Sequence, residues 1–508
     1  MRTRKKPSRP EVDRQGSRAP RGRALLATLA LFLAFGCAEP SGSADEPSPT
    51  GSAAASEDTS RTLVPADAET VRLSFAPLVR EVAPAVVSIT SSRVARTAQR
   101  VDPFFDDPFF RHFFGDLPGP FGRGRPQERR QGSLGSGVIV GGDGLIVTNH
   151  HVVEGADEII VVLADRTEHR AELVASDERS DLAFLRVAAN RPLPAVPLGD
   201  SDRIEVGDLV LAIGNPFGIG QTVTSGIVSA RARSTPGARS DVSFIQTDAA
   251  INPGNSGGAL VSMDGELIGV NTAIFTRGGG SIGIGFAIPA NLVAARIIAL
   301  EQGITSGRPW LGAAYKPIDT VIAQALDLAR PQGLLIERVH PRGAAAAAGL
   351  QAGDILVAVD GIEVFDAPGL NLRLQLEPLG STVPVSVLRR GRALSLDLPL
   401  QLPPAEPAPD QRRLVGSQPL SGAVVANLSP AFNDTLGIDP FAEGVGIVEI
   451  EPRSFATRLR LQRGDVVTAV NGEGITSTAA LERALGRTMA PWTIGIERNG
   501  QVFDLTIG

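Results

Sequence analysis

The sequence predicts a multidomain, mainly β chain, and three observations carry that prediction. Its 508 residues are more than one hydrophobic core usually serves, at about 100–200 residues per domain. From Leu73 to about Ala299, short apolar runs cut by Gly, Asp and Pro recur without long helices between them, as in an all-β barrel or sandwich. Downstream, Leu350-Gln-Ala-Gly-Asp354-Ile-Leu-Val-Ala-Val-Asp-Gly361 returns 111 residues later as Leu461-Gln-Arg-Gly-Asp465-Val-Val-Thr-Ala-Val-Asn-Gly472, so two copies of one module follow the β domain.

Composition narrows the classes. Hydrophobic residues at 43% and charged residues at 20% suit a soluble globular protein, and 56 Gly, 38 Pro and 5% aromatics favour turn-rich β structure. Residues 1–37 hold nine Lys/Arg and two Asp/Glu, which leaves 40 against 53 in the rest, a net charge of −13. A body that acidic is a poor candidate for nucleic-acid binding, because phosphate neutralisation needs a basic face.

The elements follow in order. Ala24–Phe35 is apolar except for Thr28 and follows Arg21 and Arg23; too short to span a bilayer, it has the length of a signal-peptide core. Residues 1–37 are therefore read as a signal peptide of an exported, periplasmic or envelope protein. Cys37, the only cysteine, follows Leu33-Ala34-Phe35-Gly36, which resembles a lipobox whose cysteine is lipidated and anchors the chain; an ordinary signal peptide cleaved nearby is the other reading. Residues 38–70, rich in Ser, Ala, Pro, Asp and Glu, read as a disordered linker. The β domain spans 71–302 and ends in one helical pattern, Pro289–Glu301. Within it the loop 95–132 packs six phenylalanines between Asp102 and Phe114, an apolar surface that calls for a partner. The modules cover 305–400 and 414–508, each with a strand running into Asp-Gly or Asn-Gly, a strong hairpin signal, and then a helical stretch (Ala367–Leu376, Ser477–Leu485). Residues 401–413, with four prolines, read as a stiff linker.

Gly254-Asn255-Ser256-Gly257-Gly258 is the sharpest chemical motif. Flanking glycines let the backbone approach a substrate carbonyl and turn amides toward one point beside the hydroxyl. The motif fits both α/β-hydrolases, where acid and histidine follow the serine, and chymotrypsin-like proteases, where His and Asp precede it. The only later histidine, His340, reads as a surface residue of the first module. Upstream stand Thr148-Asn149-His150-His151, ending an apolar strand, and Arg179-Ser180-Asp181, beginning another. The order His, Asp, Ser is met. His151 is preferred over His150 by the Thr-x-x-His spacing of chymotrypsin-like enzymes, and Asp181 over Asp177 or Asp165 because it directly precedes an apolar strand.

These segments, with Ala212–Ser229, Gln246–Ala259 and Ile282–Pro289, resemble the HtrA (Do-like, Deg) serine proteases from about residue 70 onward, most closely the periplasmic branch with two PDZ domains. The resemblance implies a chymotrypsin-like double β-barrel followed by two α+β PDZ domains. It implies Ser256 as nucleophile, His151 as general base and Asp181 as its orienter, with Gly254, Asn255 and Ser256 amides as the oxyanion hole and no metal or cofactor. Ala250 stands where trypsin has its specificity aspartate. Pocket positions fall on Ile251, Ile274 and Ile284, which implies cleavage after small or medium aliphatic residues. Trp310-Leu311-Gly312-Ala313 matches the family's carboxylate-binding loop, with Gly422-Ala423-Val424-Val425 as a weaker counterpart. The resemblance further implies a homotrimer or larger homo-oligomer with Phe75 at its contact, and Arg233 in a loop that senses substrate. The expected activity is ATP-independent degradation of unfolded proteins; the alternative is a chaperone or peptide-binding scaffold with dormant proteolysis.

Overall fold

The computed structural model describes residues 74–94, 130–216, 220–233, 243–252, 254–274, 283–304, 307–487, 491–498 and 500–508. Segment 1–37 with Cys37, the linker 38–70 and nearly all of the Phe-rich loop lie outside the described residues.

A helix Ala76–Val82 leads into β1 (Val86–Val94), β2 (Arg130–Gly141), β3 (Leu145–Thr148), β4 (Glu158–Val162), β5 (Glu168–Asp177) and β6 (Leu182–Val187), which close into a barrel in the order β1-β2-β3-β6-β5-β4. A second barrel joins β7 (Leu209–Gly214), β8 (Thr222–Arg233), β9 (Phe244–Thr247), β10 (Ala259–Val261), β11 (Leu267–Ile274) and β12 (Gly285–Pro289) in the order β10-β11-β12-β9-β8-β7. β4 alternates buried and half-buried residues, the period of a strand with one face inward, whereas β3 is buried throughout. The helix Ala290–Glu301 starts directly after Pro289 and buries Leu292 and Val293 in the barrel core. The fold is therefore mainly β, with the chemistry-bearing loops at the junction of the barrels.

The first module has β13 (Ala313–Pro317), β14 (Leu334–Val339), β15 (Ile355–Val359), β16 (Ile362–Glu363), β17 (Thr382–Arg389) and β18 (Arg392–Pro399), with helices Thr320–Ala325, Ala344–Ala347 and Ala367–Leu376. The second repeats this plan with β20 (Ala423–Asn427), β21 (Val445–Ile450), β22 (Val466–Val470), β23 (Glu473–Gly474), β24 (Trp492–Arg498) and β25 (Gln501–Ile507), and helices Pro430–Leu436, Phe455–Arg458 and Thr478–Arg487. It also carries an additional strand, β19 (Arg412–Arg413), on the outer edge of β20.

The repeated Gly-Asp motif has a physical reason. Asp354 and Asp465 are each 1% exposed. Asp354 accepts Nε and Nη2 of Arg389, both at 2.7 Å, and the Gln351 N–H at 2.8 Å. Asp465 is held the same way by Arg498 at 2.5 and 2.6 Å and by the Gln462 N–H at 2.8 Å. A buried carboxylate needs such a paired, hydrogen-bonded partner.

His340 differs from its sequence expectation. It is 5% exposed, packed edge-on against Trp310 and Phe441 with ring centres 5.2 and 5.6 Å away. Phe441 belongs to the second module, so a long-range packing partner that local sequence does not reveal covers this histidine. Burial, aided by nearby Arg342, holds its pKa below the ordinary histidine value.

Candidate active site

β3 ends at Thr148, and the chain turns through buried Asn149 into the one-turn helix His150–Val153. The carboxamide Nδ2 of Asn149 donates to the Asp181 carbonyl at 3.0 Å, and so does the His150 N–H at 3.1 Å. These bonds tie the histidine turn to the turn between β5 and β6, where Asp181 adopts φ +52°, a left-handed conformation that aspartate tolerates better than most residues. His151 Nδ1 then lies 2.9 Å from both carboxylate oxygens of Asp181, and the His151 N–H donates to Oδ1 at 3.1 Å.

The alternatives go elsewhere. His150 Nδ1 meets Ser176 Oγ at 2.6 Å. Asp165 is bound to Thr167 and Arg191. The Asp177 carboxylate accepts Ser180 Oγ at 2.6 Å, Arg296 at 2.9 Å and Arg308, from the start of the first module, at 2.6 Å. It therefore supports the turn that holds Asp181 rather than the imidazole.

Ser256 comes from the second barrel, in the loop before β10. Its hydroxyl donates to the Thr272 carbonyl at 3.2 Å, and the Thr272 hydroxyl donates to Asp181 Oδ2 at 2.5 Å. Ser136 on β2 locks the serine loop across the barrel junction. Its N–H donates to the Ser256 carbonyl at 2.8 Å and its hydroxyl to the Gly254 carbonyl at 2.5 Å, while its Oγ accepts the Asn215 N–H. Gly257 has φ +81°, and a Cβ there would sit 2.1 Å from the Ser136 carbonyl oxygen, so only glycine fits. The Asn255 N–H donates to the Asn252 carbonyl at 2.9 Å. Of the three amides expected at the oxyanion hole, those of Gly254 and Ser256 have no acceptor among the described residues.

Electrostatics follow from this geometry. Burial disfavours the imidazolium of His151, but the Asp181 charge and its hydrogen bond outweigh it and raise the pKa above the ordinary histidine value. Burial likewise opposes ionisation of Asp181, yet His151 and the bonds from His151 and Thr272 hold its pKa below the usual carboxylate range.

Of the expected pocket residues, Ile251 is 1% exposed and belongs to the apolar core of the second barrel, with its side chain against Gly285. Ile284 is half-buried and packs against the neighbouring core cluster that contains Phe244 and Phe286; the side chain of Ile274 lies outside the described residues, as does that of Arg233. Phe75 is 36% exposed. In the first module Leu311 is buried, Trp310 and Ala313 are half-buried, and Gly312 has φ +72°. Thr272, Ser136 and Asn149 are the residues sequence reasoning missed. Their signal was faint: polar residues at or inside apolar strands, where a buried hydroxyl or amide needs a partner.

Two closed antiparallel barrels, a histidine and aspartate on one and a glycine-flanked serine on the other define a trypsin-like serine protease, here followed by two PDZ-type modules. The trypsin-like peptidase domain family matches residues 135–270, and the PDZ domain family matches residues 335–389. The chain is 39% identical over 420 residues to a probable DegP-like periplasmic serine endoprotease of Marinomonas sp. (strain MWYL1), covering 80% of this chain and 86% of that protein. It is 36% identical over 446 residues to the periplasmic serine endoprotease DegP of Escherichia coli (strain K12), covering 85% and 91%. A solved HtrA-type protease, AlgW with decapeptide, is 43% identical, covers 65% of this chain and 99% of its own, and superposes with a TM-score of 0.49. The chain belongs to the DegP-like periplasmic serine endoproteases. It is a serine endopeptidase of the periplasm, which favours the enzyme over the scaffold reading.

Proposed function

We propose that this endopeptidase degrades unfolded periplasmic proteins through Ser256, His151 and Asp181. The observation that carries the reading is the connected set Asp181–His151 and Asp181–Thr272–Ser256, which spans both barrels. Ser256 Oγ attacks the scissile carbonyl carbon as His151 Nε2 takes its proton. The developing oxyanion is stabilised by the Gly254 and Ser256 amides, and the C–N bond breaks as His151 returns the proton to the leaving amine. Water, activated by the same imidazole, then hydrolyses the acyl-enzyme. Asp181 keeps the proton on Nδ1 and stabilises the imidazolium.

The side chain before the cleaved bond is small or medium aliphatic, because Ala250 offers no charge where trypsin carries its specificity aspartate and the pocket positions implied by the resemblance, Ile251, Ile274 and Ile284, are all aliphatic. The PDZ modules bind peptide termini, with the Leu311-Gly312-Ala313 amides as carboxylate donors. Assembly is as a homotrimer or larger homo-oligomer with Phe75 at the contact, and the exported chain is tethered to the membrane when Cys37 is lipidated. The test is incubation of residues 68–508 with a permanently unfolded protein and a folded one, mapping the cuts. Cleavage of the unfolded substrate after aliphatic residues is expected; cuts after Lys or Arg, or equal attack on the folded protein, would overturn the reading.

A further inference from the structure

A PDZ ligand adds as an antiparallel strand beside the strand that follows the glycine loop, lies against the neighbouring helix, and ends with its carboxylate at the loop amides. In the first module that strand is β13, and among the described residues no strand pairs with its outer edge. In the second it is β20, which has β21 on one edge and β19 on the other.

We propose that residues 408–414, the end of the interdomain segment, fill the peptide groove of the second module as a built-in ligand, so that only the first module is open to substrate peptides. This rests on the reading of both modules as peptide binders and sets which of them serves the protease. Arg412 lies opposite Val425 and Arg413 opposite Val424. Before them, the Asn427 N–H donates to the Pro409 carbonyl at 2.6 Å and Asn427 Nδ2 to the Ala408 carbonyl at 3.0 Å. After them, the Leu414 N–H donates to the Ala423 carbonyl, and the Gly422 N–H to the Leu414 carbonyl, both at 2.9 Å. The strap thus runs antiparallel to β20 and toward the loop, the direction a C-terminal peptide takes.

Both its end and its far side fit the same role. Leu414 is 3% exposed and packs in the module's core with Leu481 and Leu485, where the last apolar side chain of a ligand would enter. Its carbonyl takes the Gly422 N–H, a loop donor otherwise available to a carboxylate. On the helix Thr478–Arg487, Thr478 Oγ1 donates to Asp410 Oδ2 at 2.6 Å and Glu482, one turn on, pairs with Arg412. The strap is joined to the loop through residues 415–421 only, so its effective concentration is of order millimolar. Weak peptides do not displace it.

The test uses the full chain carrying Ser256→Ala, with and without Asp410→Ala/Arg412→Glu, and a photoreactive ten-residue peptide ending in Val with a free carboxylate. With the strap intact, cross-links are expected only in the first module. In the strap variant they should also appear on Ala423–Asn427 or Thr478–Arg487, with affinity there raised at least tenfold and hydrogen exchange at the Leu414 and Asn427 amides accelerated. Cross-links in both modules with the strap intact overturn the proposal. So does a variant whose Leu414 and Asn427 amides exchange fast while the second groove takes no peptide. No cross-link in either module of either protein overturns the peptide-binding reading itself, and the proposal with it. If the double variant unfolds the module, Leu414→Ala alone serves as the second test.

Discussion

Replacing Thr272 by valine removes one hydroxyl and keeps nearly the same shape. That hydroxyl donates at 2.5 Å to Asp181 Oδ2, on the oxygen that also faces His151 Nδ1. A hydrogen bond to a charged group contributes about 1.5–3 kcal/mol, and the bond favours the ionised form of Asp181. The carboxylate charge matters most when His151 becomes an imidazolium in the transition state. If the whole contribution is felt there, kcat falls roughly ten- to 150-fold at about 1.4 kcal/mol per factor of ten. The hydroxyl is buried and spent on Asp181, so KM should stay within about twofold. The assay is steady-state hydrolysis of a short internally quenched peptide by Thr272→Val and by Thr272→Ser, with thermal unfolding as a check on folding. The serine variant keeps the donor and should retain most of the activity. A folded valine variant with kcat within twofold of the parent, or a loss confined to KM, refutes the positioning role.

Three further outcomes follow from the same geometry. The base must be neutral to accept the Ser256 proton, so kcat/KM should fall as pH drops through the raised His151 pKa, with its acid limb above the ordinary histidine value; a pH–rate profile reads this directly. Asp181→Asn removes the charge that raises that pKa, so the limb should move down, and kcat should fall roughly 10⁴-fold as the tautomer is lost. Gly257→Ala places a methyl 2.1 Å from the Ser136 carbonyl at φ +81° and should cost about 2–4 kcal/mol, seen as a lower unfolding midpoint of the protease domain with loss of turnover.

Much of the fold was legible because local pattern and tertiary role agree. Leu145–Thr148 and Leu209–Gly214 read as apolar runs and are β3 and β7 to the residue, and Ala367–Leu376 is a helix over the same span. The runs missed β5, where only Ala171 among ten residues is buried, so a barrel strand carries almost no apolar signal. They also missed β8, β9 and β12, whose short or Gly- and Ser-containing sequences do not alternate cleanly. Order in the chain separated a His, Asp, Ser arrangement from the α/β-hydrolase order, and the structure places His151 and Asp181 within hydrogen-bonding distance. Thr272, Ser136 and Asn149 escaped because their partners lie 91, 118 and 32 residues away. The segment 401–413 reads as a linker from its prolines, yet its end pairs with β20. Pairing of a two-residue strand is decided by the edge it meets rather than by its own composition.

The most direct measurement is reaction of the folded protein with a fluorophosphonate, followed by peptide mass mapping. A serine activated by His151 should give one covalent adduct per chain on Ser256, with loss of unfolded-protein cleavage in proportion to labelling and no adduct in Ser256→Ala. Cleavage that survives complete labelling or the Ser256→Ala substitution, or an adduct formed on another residue, contradicts the assignment of the catalytic serine.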